Sequence, residues 1–276
     1  MSAYPPRTPP AEQYVQGFIH FVPEVSRGGY AAAHYYQPGW PVKNPRNESP
    51  PSGMEMSFSD KAVRRRFMVK VYSMLSLQLI VLFGSCLAIR TVPHVEEFVR
   101  AHPELILIGF VFQFTLLLLM CCNPNMIRSH PLNLFILTIF TLSNTLSISA
   151  VSVIYRTDTL LYTIGATLMV FMVLTLFAAQ TCIDFTVCGG IMLTLTFLLL
   201  LLGLVAIYVH QDTLLLVYHG IGAFLFCAYI VYDTQMIMGG HRYALSPEDY
   251  IMATIMLYMD VVNVFLNMLG IINYNG

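Results

Sequence analysis

Two aspartates carry the strongest chemical signal in this 276-residue chain. Asp233 stands in Ile230-Val231-Tyr232-Asp233-Thr234-Gln235, and Asp260 in Leu257-Tyr258-Met259-Asp260-Val261-Val262-Asn263, each inside a long apolar stretch. A carboxylate within a membrane span costs about 2.5–3.5 kcal/mol on insertion scales, so it marks a functional site by default. On the first stretch His219, Gly222, Tyr229 and Asp233 share one side at helical periodicity; on the second Asp260, Asn263 and Asn267 form a stripe at i, i+3 and i+7. A polar stripe on an otherwise apolar helix must face protein or water rather than lipid. The last helix is therefore expected inside a bundle, its stripe turned toward the helix before it. If Asp233 and Asp260 meet in a desolvated site, they cannot both ionise cheaply and would share a proton as a coupled pair. Protonated, they would hydrogen-bond and hold the two helices together. Fully ionised, they would repel each other and attract a cation, and carboxylate and carbonyl oxygens suit hard cations such as calcium. Polar glue between helices is the bland alternative for any one of these residues. Two carboxylates on consecutive spans favour function, whereas His219 by itself reads as a packing histidine.

The elements that must position this pair are membrane helices. Hydrophobic residues make up 57% of the chain, charged residues only 11%, and the mean hydropathy is +0.66. A soluble domain is roughly 45–50% apolar and about 25% charged. Stretches of eighteen or more nearly uncharged residues recur, each long enough to span a bilayer. The spans expected are Phe67–Ile89, Glu104–Cys122, Leu132–Ile154, Thr159–Gln180, Cys188–Val209, Leu214–Met238 and Tyr250–Ile272. Pro93, Pro103, Pro124, Pro131 and Pro247 fall in the connections, as helix punctuation should. The fold class is thus an all-α polytopic membrane protein with seven transmembrane helices.

Lys and Arg set its orientation. With the N-terminus inside, the inner connections hold Lys61, Arg64, Arg65, Arg66, Lys70, Arg128 and Arg242, against Arg90, Arg100 and Arg156 outside. The N-terminus is therefore expected in the cytosol. Residues 1–60, rich in Pro, Tyr, Gly and Ser, are expected to form a disordered cytosolic tail suited to proline-binding domains, and residues 61–276 a seven-helix membrane domain. The net charge of −1 argues against a nucleic-acid partner. The six cysteines lie in or beside spans and read as buried free thiols rather than a disulfide framework. The third span is unusual. Thr141, Thr145, Ser149 and Ser152 share one face, either a small-residue packing surface or the wall of a hydrated pathway, with packing the simpler reading. In the connection before the last span, Ser246 is a candidate N-cap, Pro247 the first helical residue and Asp249 the acidic partner of a capping box. Asp184 reads as a capping or membrane-surface residue.

These segments resemble the Lifeguard branch of the transmembrane Bax inhibitor motif family. The likeness rests on Arg65-Arg66-Phe67-Met68-Val69-Lys70-Val71-Tyr72, Gln180-Thr181-Cys182-Ile183-Asp184-Phe185-Thr186, Tyr232-Asp233-Thr234-Gln235, and the run from Leu245-Ser246-Pro247-Glu248-Asp249-Tyr250 to Asp260-Val261-Val262-Asn263. It implies six helices surrounding a central C-terminal helix. It also implies a pH-sensitive calcium leak channel of intracellular membranes and a negative regulator of apoptosis, with apoptosis-related membrane proteins as partners. The endoplasmic reticulum or Golgi is the implied membrane, with the plasma membrane as the alternative. A bacterial relative's paired aspartates fall by motif on Asp233 and Asp260, which become the pH latch and a transient calcium site. Asn263, Asn267 and His219 would support them, and Arg128 stands nearest to that relative's latch arginine. Cys182 stands where many relatives carry lysine. No cofactor is expected; calcium is the expected permeant ion and membrane lipid the surrounding partner.

Two other classes compete. A non-conducting regulator of cell death would act through protein partners, with residues 1–60 as its docking segment. An intramembrane aspartyl protease would also place aspartates on the sixth and seventh spans. Such enzymes carry Gly-x-Gly-Asp at the second aspartate and a Pro-Ala-Leu motif near the C-terminus; here Leu257-Tyr258-Met259 precedes Asp260 and the second motif is absent. The chain is therefore not expected to be an enzyme.

Overall fold

The computed structural model describes residues 53–274, so the expectation for most of the tail lies outside the described residues. Nine α-helices follow one another among these residues: α1 (Gly53–Thr91), α2 (Pro93–Ala101), α3 (Glu104–Cys122), α4 (Pro124–Arg128), α5 (Leu132–Ser152), α6 (Thr157–Gln180), α7 (Gly189–Val209), α8 (Asp212–Met238) and α9 (Tyr250–Tyr274). Short 3-10 turns at Phe185–Cys188 and Pro247–Asp249 lead into α7 and α9. Seven of the helices (α1, α3 and α5 to α9) are long and apolar enough to cross a membrane, and no strand interrupts them in the described residues. All seven expected spans are present. Prolines open α2 and α4 and cap α3 and α5, where a missing N–H costs nothing.

Two departures are physical. First, α1 begins at Gly53, inside the segment expected to be disordered to residue 60, and well before Phe67. Arg64 on this extension donates to the Leu245 carbonyl at 2.7 Å, and Lys70 stands 3.1 Å from the centre of the Tyr250 ring. The Arg64 contact thus ties the part of α1 that precedes Phe67 to the segment before α9. Second, α2 is a separate short helix between the first two spans. Its Glu96 pairs with Arg90 at 2.9 Å and Arg100 at 3.0 Å. Arg90 also donates to the carbonyls of Ser152 and Tyr155, capping the end of α5.

Burial singles out two interior helices rather than one. The apolar windows of α5 and α9 are 61% and 56% buried, against 17–33% for the other five spans. A lone central C-terminal helix is therefore not what the burial pattern describes. α9 packs on α8, α1, α6 and α5, while α3 packs on α5 and α7 on α8. Tyr258 and Phe265, both fully buried on α9, meet Phe140 of α5 and Phe83 of α1 edge to face. The lipid-directed faces of α3 and α7 carry exposed Phe, Leu and Ile side chains, as helices in hydrocarbon should.

The hydroxyls of α5 are taken up mainly by packing and by the helix itself. Gln78 of α1 donates to Thr141 at 2.8 Å, Ser147 donates to the Ile106 carbonyl of α3 at 3.0 Å, and Ser149 and Ser152 bond back to Thr145 and Ser149 carbonyls. At Gly109 the backbones of α3 and α5 come so close that a Cβ would stand 2.7 Å from the Ser143 carbonyl oxygen. That neighbour is backbone and cannot swing aside. Gly109→Ala is expected to lower the thermal unfolding midpoint in detergent, by overpacking of about 1–3 kcal/mol. Gly84→Ala, where nothing lies within 4 Å of the added carbon, leaves the midpoint at or above wild type.

Candidate functional site

Asp233 of α8 and Asp260 of α9 are brought together. They are 2% and 6% exposed, and their carboxyl groups lie within hydrogen-bonding reach of each other. Asp233 Oδ1 and Asp260 Oδ2 are buried without any hydrogen-bonding partner. Two ionised carboxylates offer only acceptors to one another; a single proton supplies the missing donor and turns repulsion into a bond. The pair sits in a cavity of about 280 Å³ whose walls include Met120 and Cys121 of α3, Tyr229 and Tyr232 of α8, and Met259 of α9. Thioethers and rings make this a medium of low polarity, in which an unpaired charge is expensive.

Small residues allow α8 and α9 to approach. A Cβ on Gly222 of α8 would stand 2.5 Å from Asn267 Oδ1, and the His219 ring seats directly against Gly270. The two glycines are reciprocal, each opening one helix to a polar side chain of the other. His219 Nδ1 and Asn267 Oδ1 are 3.2 Å apart. Asn267 Nδ2 donates to the Asn263 carbonyl, and Asn263 Nδ2 to the Met259 carbonyl, both at 2.8 Å. His219 and Asn267 therefore form a second polar contact, about 10 Å along α9 from Asp260 at 1.5 Å rise per residue.

The expected stripe divides. Asp260 and Asn267 face α8, but Asn263 turns to a separate cavity of about 490 Å³ between α3, α5 and α9. Its polar lining is Gln113, Asn144, Ser147 and Asn263. Gln113 and Asn144 were invisible to a reading of the last two spans because they sit on α3 and α5. Gln113 is the one carboxamide on the apolar helix α3, a signal that marks it, whereas Asn144 is hidden among the hydroxyls of α5.

Arg128, the residue nearest by motif to the relative's latch arginine, forks onto Asp249, with Nε 2.8 Å from Oδ1 and Nη2 3.2 Å from Oδ2. The bidentate pair ties α4 to the turn that starts α9. Asp249 is thus a partner of Arg128, while Ser246 caps by accepting from the Glu248 amide at 3.4 Å. Gln235, fully buried two residues after Asp233, was also missed. It donates to the Ile183 carbonyl and accepts from the Phe185 amide, both at 2.8 Å, and so clamps the loop between α6 and α7 to the end of α8.

Asp184 holds this loop through its side chain. Its carboxylate accepts from the Thr186 hydroxyl at 2.5 Å, the Thr186 amide at 3.0 Å and the Arg242 amide at 3.0 Å, with His241 Nδ1 3.8 Å away. The Thr186 hydroxyl above all, then the Arg242 amide, hold the carboxyl below its ordinary range. A depressed carboxyl stabilises the fold fully above the unfolded value of about 3.9 and loses that contribution as pH falls through the lower folded value. Protection factors of the amides in 239–246, which correct exchange for its intrinsic rise with pH, are expected to be high and flat above that range, and to fall at neutral pH in Asp184→Asn.

The fold and the pair define a multi-pass helical membrane protein with two neighbouring buried carboxyl groups between its last two membrane-crossing helices. The chain belongs to the family described as inhibitor of apoptosis-promoting Bax1, whose model matches residues 64–276. It is 31% identical to Protein lifeguard 3 of Homo sapiens over 290 residues, which covers 94% of this chain and 91% of that protein. It is 30% identical to the Mus musculus Protein lifeguard 3, over 97% and 93% of the two chains. It is 36% identical to Protein lifeguard 4 of Mus musculus, over 75% of this chain and 84% of that one.

Proposed function

We propose that this integral membrane protein is a proton-gated leak for cations, calcium foremost, in an intracellular membrane such as the endoplasmic reticulum or Golgi. By setting stored calcium it acts as a negative regulator of apoptosis, a reading that membership of the Bax1-inhibitor family supports. It conducts rather than catalyses. The Lys and Arg distribution supports a cytosolic N-terminus.

One observation carries the reading: two buried carboxyls within bonding reach, each with an unpartnered oxygen, beside a cavity. The pair has two stable states. With one proton shared, α8 and α9 are bonded at their aspartates and the site carries a single negative charge. With none, two negative charges confront each other in a medium that solvates them poorly, and either the helices part or a cation enters. Calcium takes six to eight oxygen ligands, more than the four oxygens two carboxylates can offer. Such a pair suits a cation in passage rather than one in residence.

The test is calcium flux from vesicles containing the purified full chain, measured against pH. Asp233→Asn and Asp260→Asn each remove an ionisable partner while keeping its shape. Each is expected to change the flux and flatten its pH profile. Variant profiles that overlay a conducting wild type would overturn the aspartate gate, and flux no greater than that of protein-free vesicles at every pH would overturn the leak and leave a non-conducting regulator acting through partners.

A further inference from the structure

We propose that Met259 is a gate, a thioether plug separating two cavities that would otherwise form one path; the proposal rests on the conducting reading above. Met259 lines both cavities. One holds the carboxylate pair, and the other holds Gln113, Asn144 and Asn263. Both lie between α3 and α9, and they follow one another along α3. Ile106 to Gln113 wall the carboxamide cavity, and Leu117 to Cys121 wall the carboxylate cavity. Met259 immediately precedes Asp260, so its side chain stands at the threshold of the aspartates.

Methionine is unbranched and flexible, a poor plug unless something holds it. Here two amides do. Gln113 Nε2 of α3 stands 3.1 Å from the Met259 sulfur and Asn144 Nδ2 of α5 stands 3.5 Å from it. Donors from two different helices thus pin the thioether across the gap. The arrangement is costly for Asn144. It is 1% exposed, spends its N–H on a weak acceptor, and leaves Oδ1 without a partner. That neutral oxygen, with the amide oxygens available on Gln113 and Asn263, is the kind of donor that replaces part of a hard cation's water shell. The carboxamide cavity is therefore a neutral vestibule, the carboxylate cavity an anionic site, and Met259 the apolar constriction between them. Withdrawing the side chain joins the two.

The decisive measurement is access to the aspartate position. Asp260→Cys is prepared in three backgrounds: Met259, Met259→Ala and Met259→Leu. Each full-length protein is placed in vesicles sorted for one orientation. A membrane-impermeant cationic methanethiosulfonate is added from the side on which Pro103 lies, and labelling is read by mass spectrometry on the peptide carrying residue 260. Labelling is expected to be slow with Met259, several-fold faster with Met259→Ala, and slow with Met259→Leu, which fills the same space. In proteins that keep Asp260, Met259→Ala is expected to raise calcium flux several-fold, with Met259→Leu near wild type. Equal labelling in the three backgrounds overturns the gate, even where the aspartate variants confirm the leak. Faster labelling through Met259→Ala with no calcium flux in any variant supports the plug and overturns the conducting reading instead.

Discussion

The close approach of α8 and α9 is the constraint on which the rest of this structure depends. Two carboxyl groups would not meet in a low-polarity interior unless the helices carrying them were held together elsewhere. Gly222 and Gly270 provide that hold by removing side chains where the partner helix inserts Asn267 and His219. Each insertion places a polar group against backbone at a distance no larger residue permits. In lipid, where apolar burial gives helices no reason to associate, such packing and polar contact are the main adhesive. The unfavourable meeting of Asp233 with Asp260 is thus supported by favourable contact a few turns away.

The interior is organised so that this helix pair is backed by α5. With α5 and α9 both largely buried, the third span is as much a part of the core as the last. Its serines and threonines let α3 lie close on one side and Gln78 of α1 bond on another. The same chemistry leaves α3 resting on α5 rather than filling the space beside α9. The two cavities occupy that unfilled space. Small residues close one interface and, by doing so, leave another open.

Much of this was legible in the sequence because membrane helices obey few rules. Seven apolar runs, prolines between them and intramembrane aspartates in two of them specified the spans and the carboxylate pair. Residues 93–101 formed an additional helix because Glu96 and the arginines around it support a short amphipathic turn that span-length patterns do not register. The stripe on the last helix was read as one face, yet Asn263 parted from Asp260 and Asn267. Three residues of helical advance are enough to reach a different neighbour when a helix is surrounded. The pairing of Arg128 is hidden for a different reason. Its partner, Asp249, is 121 residues away in the chain, and both carry plausible local roles that hide the pairing.

The connection between α8 and α9 has a mechanical meaning. Arg64 holds the Leu245 carbonyl, Asp184 holds the Arg242 amide, Arg128 holds Asp249, and Asn133 donates to the Tyr250 hydroxyl at 2.7 Å. α1, α4, α5 and the loop after α6 thus all fasten the same turn. A hairpin anchored at its bend can spread only from its open end. The bend is a fulcrum, the aspartates lie on the short arm beside it, and His219 with Gly270 lies far out on the long arm. Any displacement at the aspartates would, by leverage alone, be larger where His219 meets Gly270.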